Sequence, residues 1–494
     1  MRIIILFTIL LSTVFTQISQ GGLPTFYNRD LDVEFIEPNR DNIVDRDFHP
    51  MVFQFGEEYN LDIDFIEQSR LSVENDIHTY ILGIKSIDAF GIGVIFDDFY
   101  LSENSSLFLY DVDQTMFIGS FNSNNNKESL VFPTSIVKGD HIIIELNVPR
   151  SELDIVKLNI GTIIHDYEDI MGYFTEYSES NREDCNTNVV CPEGEGYEDQ
   201  INATIRVSMG GGLCSASIVN NTLNDRTPYV LFADHCVSGS AAGYVFLFNY
   251  QSTTCNGTFA SQNQSISGST LLASEDINNG PDFALLEMTS NIPDSYNPFY
   301  AGWSNISSAP QNVYGVHHPG GGIKKITLDG TNVNGSGYYW EFQYNDGRVI
   351  PGSSGSPLFD NNNRQVGIAS FIYTNYCDPS PDCYCDQQYS HGYGRVDMAW
   401  GMGLSNYLDP LNSGVTSIDG IGISGINISH TPFEDMPFEN SELIFSANVE
   451  AYTGLIDAVE LYYDIGDGYR SVEMDGQGFD GNYSTALTGL YNGM

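Results

Sequence analysis

The sequence predicts an all-β chain, with two packed β-barrels at its centre, a β-sandwich-like domain before them and part of a smaller sandwich after them. Three observations carry that expectation. Strand-like runs dominate, and long helical periodicity is scarce. Many of the runs are β-branched or aromatic, as in His141-Ile142-Ile143-Ile144-Glu145-Leu146. Clusters of Gly, Asn and Pro separate them at short intervals. At 494 residues the chain has room for two to four domains, and its 30 Tyr and 29 Phe supply material for their cores.

Taken in order, residues 1–20 read as a secretory signal peptide. Arg2 is followed by an apolar run over 3–11, then by small and polar residues near Thr16 and Gln17. That run is too short to span a bilayer, and no later segment qualifies. Residues 21–180 form a β-rich accessory or pro-domain. It is weakly patterned to about residue 80, with alternating apolar positions at Met51-Val52-Phe53-Gln54-Phe55. Strand patterns then recur, among them Gly91 to Phe96 and Ser106 to Tyr110. The acidic stretch 176–184, with Arg182 as its one basic residue, reads as a linker open to cleavage. The central domain is expected over 181–420, with strands at Tyr229–Phe232, 244–250, Phe283–Met288, 338–344 and 365–372. Residues 421–440 read as a second linker. Strands at 443–452 and 458–465 then open an immunoglobulin- or fibronectin-like sandwich over 441–494. Roughly fifty residues remain where such a sandwich needs about 100, so this module is expected to be partial.

The net charge is −46, from 19 basic and 65 acidic residues. It reads as a solubilising surface. It argues against nucleic acid as a partner, because phosphate contacts need clustered Lys and Arg. Asp464-Ile465-Gly466-Asp467-Gly468 is too short for an EF-hand loop. Eight cysteines in an exported chain read as disulfides. On the same ground a zinc reading of Cys377, Cys383, Cys385 and His391 gives way, and no metal or cofactor is expected.

Three segments carry the chemistry. They are Phe232-Ala233-Asp234-His235-Cys236, Pro281-Asp282-Phe283-Ala284-Leu285-Leu286 and Pro351-Gly352-Ser353-Ser354-Gly355-Ser356-Pro357. A serine hydroxyl is a poor nucleophile near neutral pH until an imidazole takes its proton and a buried carboxylate orients that imidazole. Each motif alone is modest evidence. A His beside a Cys is more often structural, an Asp before an apolar run usually ends a strand, and Gly-Ser-Ser-Gly-Ser is common in loops. Their order, His then Asp then Ser, is that of the chymotrypsin class. Gly352 and Gly355 permit a tight turn that aims backbone N–H groups at a developing oxyanion.

From about Cys185 to Gly420 the chain resembles lysyl endopeptidases and related secreted bacterial trypsin-like peptidases. The resemblance rests on Cys185-Asn186, Val189-Val190-Cys191-Pro192-Glu193-Gly194, Cys214-Ser215-Ala216-Ser217, Asn224-Asp225-Arg226, Ala301-Gly302-Trp303, His317-His318-Pro319 and Tyr393-Gly394-Arg395-Val396. It implies a chymotrypsin-like double β-barrel acting on protein or peptide substrates. It also implies His235 as general base, Asp282 as its orienting acid, and Ser354 as nucleophile. The N–H groups of Gly352 and Ser354 would form the oxyanion hole. Ser356 is the alternative nucleophile by adjacency. The resemblance further implies the disulfides Cys214–Cys236 and Cys191–Cys255 and a bridge from Cys185 to the region of Cys377. Cys383 and Cys385 depart from the pattern, and the pairing there stays open.

The largest departure concerns specificity. Lysine-cleaving members carry an Asp shortly before Tyr-Gly-Arg-Val, where this chain has Ser390-His391-Gly392. A His-Gly-Gly run beside the substrate is replaced by Ala369-Ser370-Phe371-Ile372. Ser370, Phe371 and His391 are therefore the expected pocket residues, without a carboxylate for a lysine ammonium. The two functional expectations are a secreted, monomeric serine endopeptidase and a catalytically idle peptidase-like binding or adhesion module.

Overall fold

The computed structural model describes residues 22–27, 29, 33–174, 186–258, 260–373 and 390–423, together with strands between 426 and 488. The expected signal peptide, the 176–184 linker, Cys185, Cys377, Cys383 and Cys385 lie outside the described residues.

Residues 35–166 build two sheets. One orders Phe35–Ile36, Ile77–Lys85, His141–Pro149, Ser106–Asp111 and Phe117–Phe121, with Arg70–Glu74 on the Ile77–Lys85 strand. The other orders Val137–Lys138, Gly91–Tyr100, Lys157–Asp166 and Gly56–Asp64. Strand alternation explains the packing. Ile142, Ile144, Leu146 and Val148 join Phe96, Phe99, Phe132 and Ile163 in the core, while Ile143 joins a separate cluster with Ile81, Phe108 and Tyr110. This is the expected β-sandwich.

Two barrels follow. In the first, Tyr244–Leu247, Thr204–Met209, Gly212–Ile218, Tyr229–Phe232 and Phe283–Met288 pair in that order. Residues 265–275 roll the sheet up. Ser265–Ser267 pairs with Tyr244–Leu247, and Ser269–Glu275 pairs with Phe283–Met288. The second runs Pro357–Phe359, Val313–His317, Lys325–Ser336, Tyr339–Gln343, Ser390–Arg395 and Gln365–Tyr373, and the pairing of the last with the first closes it. The fold is an all-β, chymotrypsin-like double barrel with flanking β modules.

Two segments depart from the sequence reading. The alternating residues 51–55 do not extend the sandwich. Phe53–Gln54 instead pairs with Gly212–Ile218, adding a strand to the first barrel. The expected linker 421–440 contains a strand, Ile426–Ser429, which pairs with Glu442–Ala451 from Ile426↔Ala451 onwards. Its Ile-Asn-Ile-Ser alternation is a strand pattern hidden among turn formers. By itself, the C-terminal unit holds that sheet, completed by Gly481–Thr488, and a two-stranded ribbon of Glu460–Asp464 with Tyr469–Glu473. Phe445, Leu461, Met474 and Tyr483 make its small core.

Candidate active site

The first barrel sets His235 and Asp282 side by side. Phe232 pairs with Ala284 and Leu231 with Leu285. His235 lies three residues beyond Phe232, and Asp282 lies two before Ala284, so both leave the same end of one antiparallel ladder. Asp282 adopts a φ of 50°, a left-handed conformation that Asp tolerates better than most residues. Its Oδ2 accepts from His235 Nδ1 at 2.7 Å, and its Oδ1 accepts the His235 backbone N–H at 2.9 Å. The His and Asp side chains are only 2% and 0% exposed. With the carboxylate accepting at Nδ1, the ring presents Nε2 as its free acceptor. Nε2 is buried and has no hydrogen-bond partner among the described residues. A disulfide between Cys236 and Cys214 ties the residue after His235 back to the strand Gly212–Ile218. A second bridge joins Cys191 and Cys255.

The Ser354 turn comes from the second barrel and is pinned to the first. Gly352 and Gly355 have φ values of 94° and 80°. A Cβ on Gly355 would lie 2.4 Å from the Ser215 carbonyl oxygen and 3.0 Å from Ala233 N. The missing side chain therefore lets the turn close against Phe232 and Ala233, the residues leading to His235. Ser215 N–H donates to the Ser354 carbonyl at 2.8 Å, and Ser215 Oγ donates to the Gly352 carbonyl at 2.8 Å. The Ser353 hydroxyl meets His317 Nδ1 at 2.7 Å and accepts Ile350 N–H at 3.2 Å. Burial, then the charges of His391 and Lys325, push the His317 pKa down to about 3, so this ring is a neutral strut. His318 Nδ1 contacts the Gly322 carbonyl at 2.9 Å. Both histidines of the pair thus have hydrogen bonds inside the protein. Ser356 is fully buried, and its backbone pairs with Ala369 within the second barrel. Ser354 is equally buried, and what distinguishes it is that its hydroxyl donates to the Met51 carbonyl, a group from outside the two barrels, at 3.0 Å.

The expected pocket residues lie on neighbouring strands. Ser370 Oγ donates to the Ile368 carbonyl and accepts Gly394 N–H, at 3.1 and 3.3 Å. Phe371 pairs with Gly392, where a Cβ would lie 2.3 Å from the Phe371 ring. His391 is buried, and its Nε2 accepts Val349 N–H at 3.3 Å. Asp397, an acid near enough in sequence to replace the missing pocket carboxylate, is committed to Arg395 at 2.6 Å.

The residues that sequence reasoning missed come from the N-terminal region. Residues 49–52 form a turn, closed by Val52 N–H donating to the His49 carbonyl at 2.9 Å. The Met51 carbonyl accepts from Gly352 N–H at 3.2 Å and from Ser354 Oγ at 3.0 Å. The His49 ring sits over His235, with centroids 4.5 Å apart. Burial, then the neighbouring His235, lowers the His49 pKa. The only sequence signal was the alternation at 51–55, which marks a strand without naming its partner.

Residues 180–373 match the family of the lysyl endopeptidase C-terminal domain. The central region is lysyl endopeptidase-like. Among solved structures the chain is similar to a Glu endopeptidase at 16% identity, over 46% of this chain and 98% of that one, with a TM-score of 0.32. It is also similar to human heparin binding protein at 16% identity, over 42% of this chain and 93% of that one, with a TM-score of 0.30.

Proposed function

We propose that the chain is a secreted serine endopeptidase that works through His235, Asp282 and Ser354 by way of an acyl-enzyme. The observation that carries this is the buried His235–Asp282 pair, hydrogen-bonded at 2.7 Å, beside a two-glycine turn that holds Ser354. Ser354 Oγ attacks the scissile carbonyl while His235 Nε2 takes its proton. Asp282 holds the imidazole tautomer and balances the imidazolium. The N–H groups of Gly352 and Ser354 receive the oxyanion. His235 then protonates the leaving amine, and water repeats the sequence on the ester.

A lysine ammonium buried in the pocket needs a paired carboxylate, because an unpaired buried charge costs several kcal/mol. His391 is bonded to a backbone N–H and Asp397 to Arg395. The enzyme therefore favours an uncharged or acidic side chain before the scissile bond. A cleavage profile in which lysine leads by more than about tenfold, roughly 1.4 kcal/mol, overturns this part.

Export through residues 1–20 agrees with the two described disulfides, since such bonds persist in oxidising compartments. The monomer and the division into a 21–180 accessory domain, a 181–420 peptidase domain and a 441–494 module belong to the same proposal. No helix among the described residues is long and apolar enough to cross a membrane. Peptide hydrolysis by wild type and Ser354→Ala tests the chemistry. The substitution should cut turnover on the order of 10⁴- to 10⁶-fold with folding intact. Near-wild-type turnover would remove Ser354 as nucleophile.

A further inference from the structure

We propose that residues 45–56 are a built-in competitive inhibitor of the chain's own active site, with Met51 standing in for a substrate residue. This rests on the peptidase reading above and adds the regulation and the preferred side chain of that site. The Met51 carbonyl occupies one of the two expected oxyanion donors, Gly352 N–H, and also accepts from the Ser354 hydroxyl. Its side chain packs on the apolar cluster that contains Val349, Ala369 and Tyr393. Val349 lies five residues before Ser354. Ala369 and Tyr393 are paired on the two strands that carry Ser370, Phe371 and His391. The pocket thus holds a long, unbranched apolar side chain.

The segment is held as a plug and not presented as a substrate. An acylation step needs Ser354 Oγ to reach the carbonyl carbon and His235 to protonate the departing nitrogen. Here Ser354 Oγ hydrogen-bonds to the carbonyl oxygen, and the nitrogen that would depart, Val52 N, donates to the His49 carbonyl. The His49 ring also lies against His235. The site is filled without the geometry for turnover.

The barrel surface is shaped for this segment. Phe55 and Gly56 N–H both donate to the Gly211 carbonyl, at 2.9 and 3.2 Å. A Cβ on Gly211 would lie 2.1 Å from the Gly56 carbonyl oxygen, and one on Gly212 would lie 2.5 Å from the Phe48 ring. Glu58 Oε1 accepts Gly211 N–H at 3.1 Å, and Glu58 pairs with Arg46 at 2.5 Å. Val52 is 4% exposed and belongs to the core cluster that the two barrels share. Strand pairing, a glycine cradle, an ion pair and a filled pocket act on one short stretch of chain.

The test compares the full chain with its Met51→Asp variant. Two readouts are used: the labelling rate by a small fluorophosphonate, and hydrolysis of a peptide with methionine before the scissile bond. Both should rise at least tenfold in the variant. A synthetic peptide of residues 45–56 should inhibit the released variant competitively, and the same peptide with Asp at position 51 should not. If Met51→Asp does not fold, the double variant His49→Ala/Met51→Gly removes the ring and side chain without adding charge and carries the same test. Equal labelling and turnover in wild type and folded variants would overturn the inhibitor and leave the peptidase reading intact. Folded variants that neither label nor cleave would overturn the peptidase reading, and this proposal with it.

Discussion

Two glycine clusters meet at the cleft, and they exist for different reasons. Gly352 and Gly355 shape the Ser354 turn through positive φ and close approach to the first barrel. Gly210, Gly211 and Gly212 leave room for a chain segment more than 150 residues away in sequence. The first cluster serves the chemistry, and its purpose is local. The second serves what lies over the chemistry, and its purpose appears only when residues 46–58 are in place. On the proposed reading, an active site can be complete in its own residues and still be closed by a neighbour.

The largest effect that can break this comparison is at Gly355. Gly355→Ala must adopt a left-handed conformation, costing roughly 1–2 kcal/mol, and must also push its methyl into the Ser215 carbonyl. We expect at least a hundredfold loss of hydrolysis in a variant freed of the plug, together with a lower unfolding midpoint. Gly211→Ala should do the opposite. Its φ is not in the left-handed region, and its clash is with the Gly56 carbonyl. Faster fluorophosphonate labelling of Gly211→Ala, with the barrels still folded, is the expected outcome. Loss of activity in both variants would mean that the two clusters do one job.

The Cys214–Cys236 bond is the next test. It closes a loop of 22 residues, worth roughly 3 kcal/mol in the chain-entropy model. It also anchors the residue after His235. Replacing both cysteines with Ala should lower stability by about that amount and reduce turnover as well, read by denaturant titration and peptide hydrolysis. A stability loss with turnover unchanged would show that the His235–Asp282 hydrogen bonds position the ring without the bridge.

Much of this was legible in the sequence, and the exceptions have a common cause. Tyr229–Phe232 and Phe283–Leu286 are continuous apolar runs within their strands, and the short turns beyond their ends announced His235 and Asp282. The Gly352–Gly355 turn is a local pattern with a local cause. Met51 is different. Its carbonyl matters because of Gly352 and Ser354, some 300 residues on, and no periodicity near Met51 encodes that contact. The strand Ile426–Ser429 was hidden by the turn-forming residues around it. His391 stood out in the sequence as a departure from the pattern the resemblance implied, but its bond to Val349 N–H depends on strand packing that sequence does not display.

The smallest effect separates the support of the Ser354 turn from that of the N-terminal sandwich, through pH. Burial holds the pKa of His317 at about 3, below the ordinary histidine value near 6.5. In the unfolded chain it takes up a proton below about 6.5, whereas the folded ring stays neutral until about 3. Unfolded protein binds the extra proton in that window, so this group's contribution is present above pH 6.5 and is lost as pH falls towards 3. Asp166, in the sandwich, acts in the opposite sense. Burial raises its pKa to about 7, so the folded state holds a proton that the unfolded state releases above about 4. Its contribution is full below that value and is lost as pH rises through 7. The two slopes oppose each other over most of the range from 4 to 6.5. Tryptophan fluorescence separates them, because Trp303, Trp340 and Trp400 all belong to the central region and the sandwich has none. Thermal midpoints read this way should fall on acidification from pH 6.5 to 4 in wild type, and fall less in His317→Gln, whose side chain can still hydrogen-bond the Ser353 hydroxyl. Equal slopes in the two proteins would mean that His317 is not the neutral strut beneath the Ser354 turn.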